Sequence, residues 1–452
     1  MISIEEKRKL YLGDYERKKD IIDAKISDGI QKYRKGDCKI RFVNSDGSPV
    51  VGANLKITQS THDFKFGANI FMLDEFDDEK KNLEYRRFFK EYFNLATVPF
   101  YWDTLEPEEG KPRYEKNSKK IYRRPAPDLC VEYCEENGIS PKLHCLVYDK
   151  FSPEWLRKLS IDEIKKKYEE RFKQISERYS GKMYEFEVIN EQLEYLWNTP
   201  TSTKLTTQKD FIEWSFNLAK KYFPNEILVL NEGNRIGQLS KNTYYEPYYL
   251  LIENALLKKL PIRKIGVQNH MFTGVRAKTD EEYESAIRRV AKELCDPECI
   301  WKSLDLLAEF GLPLELTEVT IPTLGDTPED EELQADMLRL WYSVWFSHPA
   351  VETIVYWNTV DGYCYSDENW NENNCRGGLW HHDLTPKKSA DTLKKLFTEE
   401  WNTKFTSTTN SDGFIDFRGF YGDYSVEIDG KQFNFSIHKS QDNTYDICLP
   451  FL

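Results

Sequence analysis

Glu191 closes the segment MYEFEVINE and Glu318 sits in LPLELTEV, each at the end of a short apolar run. Breaking a glycosidic bond needs a proton for the leaving oxygen and an anion facing the positive charge that develops at the anomeric carbon. Two carboxyl groups supply both when their surroundings separate their pKa values. The chain is rich in acidic side chains, and most of these serve as solvated surface charge. These two stand out by their company. Asn69, His144, Asn190, Asn231, Gln268, His270 and Trp357 also fall at the ends of strand-like runs, so nine such residues collect where one rim of a barrel would lie. Asn190 is placed to donate to a sugar hydroxyl, and His270 to hydrogen-bond and tune a carboxylate. Residue types alone leave open which glutamate is the acid, and leave a purely structural role open for the histidine.

Positioning those residues falls to eight short strand-like runs between Phe64 and Asn358: FKFGANI from Phe64, LATVPF from Leu95, PKLHCLV from Pro141, MYEFEVIN from Met183, ILVLN from Ile227, KIGVQNH from Lys264, PLELTEV from Pro313 and ETIVYWN from Glu352. Amphipathic stretches such as IDEIKKKYEERFKQISERYS, DFIEWSFNLAKKYF and DEELQADMLRLWYSVWF separate them at helical spacing. Eight βα units predict an α/β chain closed into a (β/α)₈ barrel, with KKSADTLKKLFTEEW after Pro386 as its last helix. Residues 1–37 read as a helical segment and residues 63–401 as the barrel. Residues 38–62 and 402–452 carry alternating strands: CKIRFVNSDGSPVVGANLKIT around an SDGSP turn, then DGFIDF, GDYSVEI, KQFNFSI and TYDICL. Neither end has enough strands for its own core, so the two are expected to pair as one small antiparallel β-sandwich.

With 452 residues and a formal charge of −13, the chain is large enough for a barrel plus a module and disfavours a nucleic-acid partner, which would need a basic surface. No apolar stretch reaches membrane-span length, so no membrane partner is expected. The charged start, MISIEEKRKLYLGDYERKKD, and nine scattered cysteines predict a cytoplasmic chain; a trimmed leader would make it secreted. Cys295 and Cys299 in CDPEC lack the second ligand pair of a zinc site, so neither a metal nor another cofactor is expected.

At these residues the sequence resembles glycoside hydrolase family 10, the endo-1,4-β-xylanase family of retaining (β/α)₈ enzymes, over roughly Phe64 to Leu396. RYSGKMYEFEVINE is similar to the family's WDVVNE-like strand, which implies Glu191 as acid/base, and PLELTEV to its ITELD-like strand, which implies Glu318 as nucleophile. LHCLVYD, LNEGN, IGVQNH and GGLWHHDLTPKKSADTL resemble GHTLVWH, INDYN, IGLQSH and the closing G-L-x-D-x-x-P-K-P-A-Y stretch. The resemblance implies that His144, Asn190, Gln268, His270 and Trp357 line the subsite of the sugar being cleaved.

Departures cluster in one place. TVPFYW stands where the family reads like TPENEMKW, keeping only Trp102 and losing the Glu, Asn and Lys that contact glycone sugars. Tyr148 and Asp149 replace the Trp and His after LHCLV, and Thr320 replaces the Asp expected to support His270. LTTQ and YCYSDENWNENNC are expected to reshape the cleft, with Trp370 as a lid. The reading is a retaining β-glycosidase for β-1,4-xylan or xylo-oligosaccharides. Its alternatives are a glycosidase for another β-linked glycan, a non-catalytic carbohydrate binder on a degenerate barrel, and a metal-dependent hydrolase using His144, His270 and Glu318.

Overall fold

A computed structural model describes residues 2–193 and 202–449. Eight parallel strands close into a barrel: β3 (Lys65–Asn69), β4 (Leu95–Pro99), β5 (Ser140–His144), β6 (Glu185–Ile189), β7 (Ile227–Glu232), β8 (Lys264–His270), β9 (Leu314–Thr320) and β10 (Val351–Tyr356), with β10 pairing back onto β3. Every expected barrel run carries its strand. Strands β4, β6, β8 and β9 are buried at every position, because helices cover one face and the barrel interior the other.

The barrel interior holds charge as well as hydrocarbon. Lys142 Nζ lies 2.7 Å from Glu315, and Lys264 Nζ lies 2.6 Å from Glu185, all four essentially inaccessible. Desolvating such groups is tolerable only with partners in place. Lys142 also comes within 3.4 Å of Glu187, which carries the network up toward the rim that bears Glu191 and Glu318.

The outer helices start where side chains cap them. Ser160 and Glu163 form a capping box on the helix Ile161–Tyr179, and Thr327 with Asp330 does the same for Pro328–Ser347. Pro386 directly precedes the Lys387 cap of the helix Lys388–Lys395. Its expected continuation is instead a π-helical turn, Leu396–Glu400, which sets Phe397 against Phe66 at 3.9 Å between ring centroids. Among the described residues no helix is long and apolar enough to cross a membrane.

Two N-terminal helices, α1 (Ile4–Arg17) and α2 (Lys19–Tyr33), lie against the barrel's outer layer. A Cβ on Gly29 of α2 would meet the Ser347 carbonyl oxygen at 2.4 Å, so glycine sets this close approach. Gly29→Ala is expected to lower the unfolding free energy by about 1–3 kcal/mol despite alanine's better helix propensity, because the obstacle is backbone. The urea midpoint measures it; an unchanged or raised midpoint would show that α2 shifts freely.

The chain ends build a β-sandwich. One sheet has the order β12 (Phe414–Phe420), β1 (Lys35–Asn44), β15 (Thr444–Leu449); the other has β11 (Lys404–Thr408), β2 (Asn54–Gln59), β13 (Gly422–Ile428), β14 (Lys431–Ile437). The two N-terminal strands therefore lie in different sheets, and β15 joins β1 in parallel rather than antiparallel fashion. The reason is burial: the connection 45–53 crosses between sheets, so Ile40 and Phe42 of β1 meet Leu55 and Ile57 of β2 across one core. A flat hairpin would leave both apolar faces on one side.

Candidate active site

Glu191 follows β6 with left-handed backbone (φ 54°), a strained conformation for glutamate that marks the turn out of the strand. Its amide donates to the Asn231 carbonyl at 3.3 Å. Glu318 projects from β9 and is 4 % exposed. Between them stands Gln268 of β8, whose Nε2 donates to Glu191 Oε1 at 2.8 Å and Glu318 Oε1 at 2.9 Å. One nitrogen touching both carboxyls keeps those oxygens within about 6 Å. Carboxyl groups about 5–5.5 Å apart suit a covalent intermediate, and about 6.5–9.5 Å suits a water held between them.

Asn231 of β7 orders the floor beneath the pair. Its Oδ1 accepts from Thr317 Oγ1 at 2.6 Å, which turns its Nδ2 toward Asn190 Oδ1 (2.8 Å), Glu187 Oε1 (3.1 Å) and Glu318 Oε1 (3.4 Å). With Asn190 Oδ1 accepting there, its amide N–H groups remain for a ligand. Tyr148 donates its hydroxyl proton to Glu191 Oε2.

Two histidines flank the carboxyls in different states. His144 Nδ1 lies 2.9 Å from Glu187 Oε1 and Nε2 lies 2.9 Å from the Tyr101 hydroxyl. Burial opposes its charge, but Glu187 outweighs burial and holds its pKa above the ordinary value. His270 is pushed down to about 4 by burial and is neutral. Its Nδ1 sits 2.9 Å from Thr320 Oγ1 and its Nε2 3.2 Å from Glu318 Oε2. A neutral imidazole whose Nε2–H donates to Glu318 needs a proton donor at Nδ1, and the threonine hydroxyl is one. Thr320→Asp replaces that donor with an anion, and we expect the His270 pKa to rise, read from its imidazole signals in an NMR titration. An unmoved titration would show that Thr320 does not set the ring's state.

Burial pushes the Glu318 carboxyl well above the ordinary range; His144 opposes this, while the charges of Glu191 and Glu187 add to it. Behind the two candidate carboxyls Glu232, missing from the sequence expectations, accepts amides from Leu193 (2.9 Å) and Gly233 (3.0 Å), and burial pushes it up to about 8.

A cavity of about 750 Å³ opens over this pair, lined by Asn190, Glu191, His270, Glu318, Trp357 and Tyr148 among others. Trp370 also lines it, with Phe272 at 5.3 Å and the Arg276 guanidinium 5.0 Å over its ring. His144, Gln268 and Asn231 lie one layer behind. Trp102 is elsewhere: it opens the helical turn Trp102–Leu105, packs on Tyr168 at 4.6 Å, and donates Nε1 to Glu106. Tyr101 takes the cavity position instead. Asn69 is buried outside the lining, its carbonyl accepting from Tyr85. Asp149 ties two loops by accepting from Ser152 Oγ (2.8 Å) and Thr203 Oγ1 (2.9 Å), beside the short turn Lys204–Thr207, which with its cap Gln208 carries LTTQ.

Among the described residues, one cluster has metal-ligand spacing: His144, Cys145 and Glu187. Both imidazole nitrogens there already face Glu187 and Tyr101, so the group reads as a hydrogen-bonded relay. Phe71, Tyr101, Arg123 and Arg124 also line the cavity and were not expected. The arginines come from the irregular segment 106–126, where no periodicity announces a wall.

The likenesses to known proteins agree with this geometry. The profile described as "Glycosyl hydrolase family 10" matches residues 58–396. The anti-sigma-I factor RsgI6 of Acetivibrio thermocellus is 25 % identical, over 90 % of this chain and 47 % of its own length. Endo-1,4-beta-xylanase 2 of Arabidopsis thaliana is 24 % identical, over 87 % of this chain and 32 % of its own. This chain therefore spans less than half the length of these relatives. In fold it is similar to xylanase 10B of Thermotoga petrophila RKU-1 solved with xylobiose (TM-score 0.57, 21 % identity, 75 % of this chain and 95 % of that one). A family profile that covers the whole barrel, on a closed eight-stranded barrel with two glutamates at its rim, makes the conclusion direct: the chain belongs to glycosyl hydrolase family 10.

Proposed function

We propose that this chain is a retaining β-glycosidase that hydrolyses β-1,4-xylan or xylo-oligosaccharides, with Glu191 as acid/base and Glu318 as nucleophile. The observation that carries the reading is the single Gln268 amide touching both carboxyls, which supports the short spacing of a double displacement. Glu318 also accepts from Asn231 and His270, and these N–H donors favour the anion that attacks. Glu318 then attacks the anomeric carbon as Glu191 protonates the departing oxygen. The covalent glycosyl ester is next cut by water, which gives its proton to Glu191 and frees Glu318. The choice of xylan rests on the family and on its named xylanases. Metal and organic cofactors have no part in this scheme.

Proton NMR of the first product released from xylohexaose tests it. The β anomer, appearing before mutarotation, is the expected result. The α anomer would mean inversion, and binding of xylo-oligosaccharides without cleavage would return the carbohydrate-binder reading.

A further inference from the structure

Adjacent arginines, Arg123 and Arg124, stand in the wall of the catalytic cavity, 4 % and 9 % exposed. Arg123 is engaged by the fold: Nη2 donates to Asn358 Oδ1 at 2.7 Å and Nη1 to the Tyr363 carbonyl. Arg124 is not. Among the described residues its guanidinium makes one hydrogen bond, from Nη1 to the Arg123 carbonyl at 3.0 Å, and no ion pair, while its Nε is buried without a partner. Its guanidinium carbon lies 3.9 Å over the Tyr101 ring, and the Tyr101 hydroxyl lies 2.9 Å from His144 Nε2 behind the cavity wall. Tyr101 also belongs to TVPFYW, the segment without the Glu, Asn and Lys of the family pattern.

The carboxylates that share the cavity wall do not serve as its counter-ion. Glu372 accepts from Asn358 Nδ2 (2.6 Å) and Trp370 Nε1 (3.3 Å), and Asp367 from the Tyr365 hydroxyl (3.0 Å). Asp103 forms no ion pair with Arg124, and burial raises its pKa toward the neutral form. A buried guanidinium without an anion is costly, and its Nη2, which makes no hydrogen bond among the described residues and is not sealed off as Nε is, remains to donate to a carboxylate oxygen.

We propose that Arg124 anchors a carboxylate carried by the sugar chain, so that this site takes a uronic-acid-bearing β-glycan in preference to a neutral one. The inference rests on reading the cavity as a glycosidase site, and it names the substrate's charge.

Calorimetric titration of the Glu318→Gln protein separates the two readings, because it needs no turnover. Three probes are used: a xylo-oligosaccharide with a glucuronosyl branch, the same compound with its carboxyl reduced to the alcohol, and a linear β-1,4-oligoglucuronide. The expected result is that one acidic probe binds about 10–100-fold tighter than the reduced compound, as a charge-assisted hydrogen bond would give. Which acidic probe wins places the carboxylate in a branch or in the main chain. Adding Arg124→Met should bring the ratio near one, and Arg124→Lys should keep part of it, with thermal unfolding confirming that both fold. Should Arg124→Met not fold, a ratio that falls with added KCl and with Arg124→Lys carries the same content. Equal binding of acidic and reduced probes, a ratio that survives Arg124→Met, or no binding of any probe overturns the inference. Failure of the wild type to cleave any probe, with the acidic preference intact, would instead overturn the glycosidase reading alone.

Discussion

Glu318→Gln is expected to lower kcat on xylo-oligosaccharides by at least about 10⁴-fold, because an amide oxygen forms no stable ester with the anomeric carbon and the proposed double displacement depends on that ester. Stability moves the other way with pH. The folded-state pKa of Glu318 lies well above its ordinary value of 4.5, so the folded protein holds a proton there that the unfolded chain gives up. The stability linked to that proton is fully present below pH 4.5 and is lost progressively as pH rises toward the folded-state value. The glutamine variant has no such proton, so its melting temperature gains on the wild type as pH climbs from about 4.5 to neutrality, less whatever the altered contacts with Gln268, Asn231 and His270 cost. Residual kcat within tenfold of wild type would remove Glu318 from the chemistry. A parallel pair of melting curves across that pH range would remove the linked proton.

The eight barrel strands were legible because a parallel strand buried on both faces is a short apolar run, and polar residues ending such runs must lie at a rim. Glu191 and Glu318 were legible for the same reason. Near the strand ends the signal weakens. TVPFYW ends in two aromatic residues, and only the turn geometry after Pro99 decides that Tyr101 faces the cavity while Trp102 turns back onto Tyr168. Alternation in β1 and β2 revealed two strands but not their sheets, since period two is the same whichever partner a strand takes.

Arg124 was hidden for a different reason. Adjacent arginines in an irregular segment read as solvated charge, and nothing in RRPAP tells that one of them lies against an aromatic ring in the wall of the candidate site. The replacement at Thr320 could be read from the sequence as the loss of an acid. What it does instead, donating a hydrogen bond to His270 Nδ1 so that Nε2–H faces Glu318, requires the distances.

Glu191→Ala is expected to separate the two half-reactions. Loss of a proton donor costs about 10²–10⁴-fold for a sugar leaving group, which needs protonation, and little for a dinitrophenyl glycoside, which does not. In the variant Gln268 still holds Glu318, so attack on the activated substrate proceeds and the glycosyl ester accumulates, because no base remains to activate water. Pre-steady-state release of dinitrophenolate as a burst of one equivalent, followed by slow turnover, is the signature. Removing the carboxylate also removes a negative charge beside the anomeric carbon and leaves room for a small anion. Azide should therefore restore turnover and yield a β-glycosyl azide, the configuration that two successive inversions require. An α-azide would mean a single displacement and would deny Glu318 its covalent role. Equal losses on both substrates, without a burst and without azide rescue, would show that Glu191 shapes the cavity rather than moving the proton.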